Sequence, residues 1–194
     1  LGWSGRFDLT FKHDFPVDER LYQPVDATVV ELEAALNSID SGYVAVVGPP
    51  GSGKSTTLTQ VLRYRAHVRV VRYYAYVRGD TAQDRGESHA FLHALCLSLR
   101  SIAPPLRRRW DALPDTREEL LEALASEFAV LSEDWRTTGT RTIILVDGLD
   151  HIEREQSPVR SLLNDLPHPT TIPKGVLVVL GTQEGGLDAA APSL

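Results

Sequence analysis

The chain has 194 residues, 42% apolar and 24% charged, which suits one folded domain of ordinary size and excludes a disordered chain. A formal net charge of -6 argues against a broad basic surface, so a nucleic-acid partner is not indicated. One cysteine, Cys96, excludes an intrachain disulfide and a multi-cysteine zinc cluster, and a reducing, cytoplasmic setting is expected.

No apolar run reaches membrane-spanning length, and no signal peptide is visible at the start. The leading leucine and the lack of methionine suggest the core of a longer protein. In residues 1–27, Trp3, Phe7, Phe11 and Phe15 recur every four positions, but Gly2, Gly5, Asp14 and Pro16 oppose one long helix. This stretch reads as an arm laid on the core domain, residues 28–194. Plain packing is favoured for it over a second role, covering the adenine side of a nucleotide. Residues 28–39 read as a helix with Val29, Leu32, Ala35, Leu36 and Ile39 on one face, ended by Asp40-Ser41-Gly42.

Tyr43 to Val47 is an apolar strand. Gly48-Pro49-Pro50-Gly51-Ser52-Gly53-Lys54-Ser55-Thr56 follows and fits G-x-x-x-x-G-K-[ST] at every fixed position. The residue types follow from the chemistry. Gly51 and Gly53 let backbone N–H groups close around a polyphosphate. The helix that begins near Gly53 turns its positive end to the same anion. Lys54 is placed to reach the β- and γ-phosphates, and the Ser55 hydroxyl to hold Mg²⁺. A merely glycine-rich strand–turn–helix is the bland alternative. The full pattern behind an apolar strand favours the nucleotide.

The helix is expected to run to about Tyr64, with Leu58, Val61 and Leu62 inward. Val68 to Val77 reads as a second strand, in which Arg69 and Arg72 break the alternation. Arg78 to Glu87 reads as a polar loop, where Asp80 and Arg85 are candidates for touching nucleotide or a neighbour, with plain solvation favoured. Ser88 is expected to cap a helix whose inner face is Phe91, Leu92, Leu95, Cys96 and Leu99. His89 and His93 lie four apart, but no glutamate follows His89, so this is not a H-E-x-x-H zinc site. Pro104-Pro105 ends the helix, and the Arg107-Arg108-Arg109 run is too short to argue for nucleic acid. Thr116 and Glu119 form a capping box for a helix with Leu120, Leu121, Leu124, Phe128 and Leu131 as its stripe and Trp135 covering its end.

Thr142 to Val146 is the third strand and runs into Asp147-Gly148-Leu149-Asp150-His151. A further helix is expected with Val159, Leu162, Leu163 and Leu166 on one side, then a proline-marked loop. Gly175 to Leu180 is the fourth strand, ending at Gly181-Thr182-Gln183, and the tail from Glu184 reads as loose. Continuous apolar strands separated by helices argue an α/β fold of three layers, a mostly parallel sheet covered on both faces.

Asp147 puts a carboxylate at the tip of a buried strand, where P-loop enzymes hold Mg²⁺ with the loop hydroxyl, here Ser55. Asp150 is the candidate to orient or deprotonate attacking water, and His151 is the alternative. Thr182 and Gln183 reach the same rim and are candidates to sense a γ-phosphate or place water. The plain alternative for these residues is a polar strand-to-helix turn.

Gly48 to Thr56, Ile143 to His151 and Val176 to Gln183 together resemble the phosphate-binding, acidic and sensor segments of the signal-transduction ATPases with numerous domains (STAND), and within them the NACHT-type core. The acidic motif there is typically four hydrophobics, then Asp, small, Leu, Asp, acidic; here it is Ile143-Ile144-Leu145-Val146-Asp147-Gly148-Leu149-Asp150-His151. His151 stands where an acidic residue is frequent, and Gln183 where arginine often stands. The resemblance covers roughly residues 28–183. It implies an additional-strand (ASCE) P-loop NTPase, here an incomplete core that stops before a fifth strand and the helical and winged-helix modules. It also implies ATP/ADP and Mg²⁺ as ligands and slow hydrolysis resting on Lys54 and Asp150. The cofactor contacts would be Gly48 to Thr56 and Gln183. Self-association on activation would drive effector and sensor domains in the same chain, in bacteria often for antiviral defence. The alanine-, arginine- and proline-rich composition points to a high-GC bacterium. The alternatives are an AAA-type motor, for which Arg141 and Arg107 to Arg109 are the arginines on offer, and a nucleotide-binding structural module with little turnover.

Overall fold

The computed structural model describes residues 15, 17–18, 20, 22–63, 67–77, 83–103, 105–106, 113–152 and 156–183. Trp3, Phe7, Phe11, Asp80, Arg107 to Arg109 and the tail from Glu184 lie outside the described residues. Four parallel strands, β1 (Gly42–Val47), β2 (Val68–Tyr74), β3 (Arg141–Asp147) and β4 (Val176–Thr182), form one sheet in the order β1-β4-β3-β2. The last strand is thus inserted between the P-loop strand and the acidic strand, which is the additional-strand layout. Helices α1 (Asp26–Ser38), α2 (Lys54–Val61), α3 (Ser88–Ile102) and α4 (Arg117–Thr138) complete the three layers. Among the described residues no helix is long and apolar enough to cross a membrane.

The period of two along each strand divides the core. Ile143, Leu145, Leu177 and Val179 point to one side and pack with Leu32 and Leu36 of α1 and Leu58 and Val61 of α2. Ile144, Val146, Val178 and Leu180 point to the other and pack with Phe91, Leu95 and Leu99 of α3 and Leu120, Leu124 and Phe128 of α4. All seven residues of β4 are buried, as a strand paired on both sides and covered on both faces requires. The two arginines that interrupt β2 lie at the sheet edge and find partners outside the ladder: Arg69 pairs with Asp134 at 2.6 Å, and Arg72 donates to the Leu62 carbonyl at 2.7 Å.

Four expectations are corrected. Strand β2 ends at Tyr74 rather than Val77. Arg85 is not solvated: it is 1% exposed, donates to the Tyr74 carbonyl at 2.9 Å, and its own carbonyl accepts from the Tyr73 hydroxyl at 2.7 Å. Ser88 does not cap α3; it lies one residue inside, and its hydroxyl donates to Asp165. The helix drawn through Val159 is absent. Ser157 has φ of 45°, Pro158 follows it, Val159 is fully exposed, and only Leu162–Asp165 forms a 3-10 turn that buries Leu162 and Leu163. The first half of the capping box at α4 forms, the Thr116 hydroxyl oxygen accepting from the Glu119 amide at 3.3 Å, while the Glu119 carboxylate accepts from that hydroxyl at 2.7 Å rather than from the Thr116 amide.

Candidate nucleotide site

The site lies at the carboxyl end of the sheet. Gly48 leaves β1 with its amide on the Thr182 carbonyl at 3.3 Å, so the loop is anchored to the neighbouring strand. Gly51 and Gly53 have φ of 73° and 84°, conformations that side chains oppose, and Gly53 is the residue from which α2 starts. Lys54 bends back over the loop and donates from Nζ to the Gly48 carbonyl at 2.8 Å and the Pro49 carbonyl at 3.0 Å. An ammonium held by loop carbonyls can exchange them for phosphate oxygens, which are stronger partners.

Strand parity decides where the acid goes. Asp147 shares the face of Ile143 and Leu145, the face covered by α2, so its carboxylate meets the Ser55 hydroxyl. It is 3% exposed, and its Oδ1 accepts the Gly148 amide at 2.9 Å. Burial raises the Asp147 carboxyl above its ordinary value, opposed by the hydrogen bonds from Ser55 and the Gly148 amide and by the charge of Lys54. The neighbour of Asp147 in the β4 register is Gly181. A Cβ built on Gly181 would overlap the Asp147 carboxylate, so the carboxylate occupies the space of a missing side chain.

Past Asp147 the chain turns through Gly148 and begins a helical turn at Asp150. Asp150 Oδ2 accepts a hydrogen bond from Gln183 Nε2 and lies 3.5 Å from His151 Nε2. The His151 ring is stacked on Tyr76, with centroids 4.0 Å apart and planes 8° from parallel. A cleft of about 440 Å³ joins these parts, with Gly51, Gly53, Lys54, Ser55 and Thr56 along the loop and helix and Asp147, Asp150, His151 and Gln183 opposite. Phe15 closes one side and packs on Tyr74 with ring centroids 5.8 Å apart.

A family model described as the AAA ATPase domain matches residues 26–179. The chain belongs to the AAA ATPase domain family. Among solved structures this AAA ATPase domain is similar to the ORC2 protein of Aeropyrum pernix in ADPNP–ADP complexes, at 13% identity and a TM-score of 0.38. That match covers 96% of this chain and 47% of the other, so the chain spans about half of that protein's length. No curated protein matches the chain.

The AAA ATPase domain thus brings the predicted residues Lys54, Ser55, Asp147, Asp150, His151 and Gln183 to one cleft. Gly48 and Pro49 stand beside it through their carbonyls on Lys54, and Ser52 closes the loop with its amide on the Pro49 carbonyl at 3.3 Å. Thr182 faces away: it is wholly buried, and its hydroxyl donates to the Gln183 carbonyl at 3.2 Å. Two participants escaped the sequence reading. Tyr76 sat in an apolar aromatic run with no local sign of the His151 partner. Gly181 read as an ordinary strand end, and only the register with Asp147 reveals what its lack of a side chain does.

Proposed function

We propose that this AAA ATPase domain is a magnesium-dependent ATP/ADP switch of the STAND/NACHT type that hydrolyses ATP slowly. The observation that carries the reading is the state of Asp150. Its carboxylate faces the phosphate loop across the cleft, yet it is engaged by the Gln183 amide and flanked by His151. Gln183 holds one oxygen of this carboxylate, Oδ2, and so couples the orientation of the acid to the position of the β4 end.

The residues fit the ligand. Two glycines with positive φ open the loop, Lys54 holds loop carbonyls that phosphate oxygens would replace, and the buried Asp147 carboxylate stands beside Ser55. Gly48 to Thr56 would cradle the phosphates, with Lys54 neutralising charge at the β- and γ-positions. Ser55 and Asp147 would hold magnesium, which when bound supplies charge neutralisation on the phosphates. In hydrolysis the water oxygen bonds to the γ-phosphorus and the bond to the bridging oxygen breaks with its electron pair left on ADP. The water proton passes to Asp150. Gln183 would report on the γ-phosphate by leaving Asp150 for it.

A motor reading needs an arginine at the phosphates. Of the arginines on offer, Arg107 to Arg109 lie outside the described residues, and Arg141 stands at the far end of β3 from Asp147, bound to the Leu36 carbonyl at 2.9 Å and to Asp40 at 2.7 Å. That favours the switch, in which ATP binding drives self-association and effector output, as in defence systems of the STAND type. The test is to denature the freshly purified protein, identify released nucleotide by chromatography, and measure phosphate release and particle size with ATP. Retained ADP, slow release and an ATP-dependent oligomer are expected. Rapid steady-state turnover without retained nucleotide would overturn the switch in favour of the motor.

A further inference from the structure

We propose that Tyr76 is a positioning residue for ATP hydrolysis, its ring holding the His151 imidazole beside Asp150. The inference rests on the hydrolysis reading above.

The backbone around Tyr76 is fixed from three sides. The Ala75 amide donates to the Asp147 carbonyl at 2.8 Å, which continues the β2–β3 ladder one residue past the strand. The Ala75 carbonyl accepts from Gln156 Nε2 at 2.5 Å, and Gln156 Oε1 in turn accepts the Gly86 amide at 2.5 Å. Behind Tyr76 the acidic loop passes so close that a Cβ on Gly148 would lie 3.2 Å from the Tyr76 nitrogen and 3.4 Å from its Cβ. The loop that carries Asp150 and His151 therefore returns against the residue that stacks on it.

The imidazole needs such a support. The torsion that turns a histidine ring is broad and nearly two-fold, so the side chain does not set its own plane. In this cleft the near-parallel Tyr76 ring sets the plane, and the Asp150 carboxylate at 3.5 Å meets the ring edge at Nε2. The Asp150 and His151 side chains keep 11% and 24% of their exposure, so both still reach the space where water would attack. When water bonds to the γ-phosphorus and ADP departs with the electrons of the broken bond, the released proton goes to Asp150. The imidazole at its side steers that carboxylate, and Tyr76 acts on the reaction through the imidazole. A small angular error at a proton-accepting group is costly in rate and nearly silent in binding.

The experiment measures ATP hydrolysis and ATP affinity for Tyr76→Leu, Tyr76→Phe, His151→Ala and the double variant Tyr76→Leu/His151→Ala. Tyr76→Leu is expected to lower kcat about tenfold or more with KM and ATP affinity unchanged, and Tyr76→Phe to restore most of the loss. In the His151→Ala background Tyr76→Leu should do nothing further, since the group it positions is gone. A further loss in that background, or equal kcat for Tyr76→Leu and wild type, overturns the proposal while leaving hydrolysis intact. Absence of turnover in the wild-type protein overturns the hydrolysis reading and this one with it. Should Tyr76→Leu fail to fold, NMR of the wild-type protein decides. A ring stacked on tyrosine shifts the His151 Cε1 proton upfield, and an unshifted resonance removes the basis of the proposal.

Discussion

Gly181→Ala adds one methyl group where β4 passes Asp147. The added Cβ would overlap Asp147 Oδ1, lie 2.8 Å from Asp147 Cγ and 2.9 Å from Leu58 Cδ1. The Leu58 methyl is the end of a flexible side chain and can yield. The carboxylate cannot yield cheaply, because it is 3% exposed and held by Ser55 and by the Gly148 amide at 2.9 Å. Overpacking a filled site costs about 1–3 kcal/mol. Disturbing a hydrogen bond to a charged group adds about 1.5 kcal/mol or more. A loss of about 2.5–4.5 kcal/mol is expected, a fall in Tm of about 5–18 °C for a chain of this size. The ATP affinity gained from magnesium should fall about tenfold or more as the carboxylate leaves Ser55. Thermal unfolding and Mg²⁺-dependent ATP titration of wild type, Gly181→Ala, Asp147→Ala and the double variant form a closed cycle. With Asp147 already truncated, the added methyl should cost under about 1 kcal/mol. An equal cost in both backgrounds, or wild-type magnesium response in Gly181→Ala, would refute the argument.

Lys54→Ala should weaken ATP binding at least tenfold, since it deletes the cation that exchanges loop carbonyls for phosphate; unchanged affinity by calorimetry would contradict the site. Asp150→Ala should keep ATP binding and slow phosphate release, and unaltered release would pass the proton-accepting role to His151. Asp165 is 4% exposed, where burial opposes its charge, but Arg117, Arg160 and Ser88 outweigh burial and hold its carboxyl well below the ordinary range. With the folded value depressed, its contribution is present above the ordinary carboxylate pKa of about 3.9 and is lost as pH falls toward the folded value. Asp165→Asn should therefore cost about 3–5 kcal/mol at pH 7, somewhat less near pH 3, and progressively less below that, measured by denaturant unfolding across this range.

The phosphate loop was legible because its chemistry fixes residue types at local spacings, and the strands because burial on both faces leaves unbroken apolar runs. Strand order was legible only through the family resemblance, since nothing within Val176 to Thr182 says which two strands it will separate. The same limit hid Gly181 and Tyr76, whose roles exist only against Asp147 and His151 in other segments. Ser88 misled because capping is a local rule, and Asp165 offered its hydroxyl a stronger, distant partner. The helix through Val159 failed because a spacing of three and four among leucines also fits a 3-10 turn approached through a positive φ and a proline.

The position of β4 bears on how the molecule comes into being. Of the four described strands, the one latest in the chain, β4, fills the middle of the sheet, and without it β1 has no described neighbour while β3 has only β2. Both anchors of the cleft rim, the Thr182 carbonyl under Gly48 and the vacant side of Gly181 beside Asp147, arrive with that strand. Closing such distant pairings is slow. A nascent chain therefore carries its complete phosphate motif for well over a hundred residues before it can grip a nucleotide. Acquisition of ATP then marks the moment at which the described sheet has closed around β4, and ATP present during refolding should trap that closure rather than hasten the steps before it.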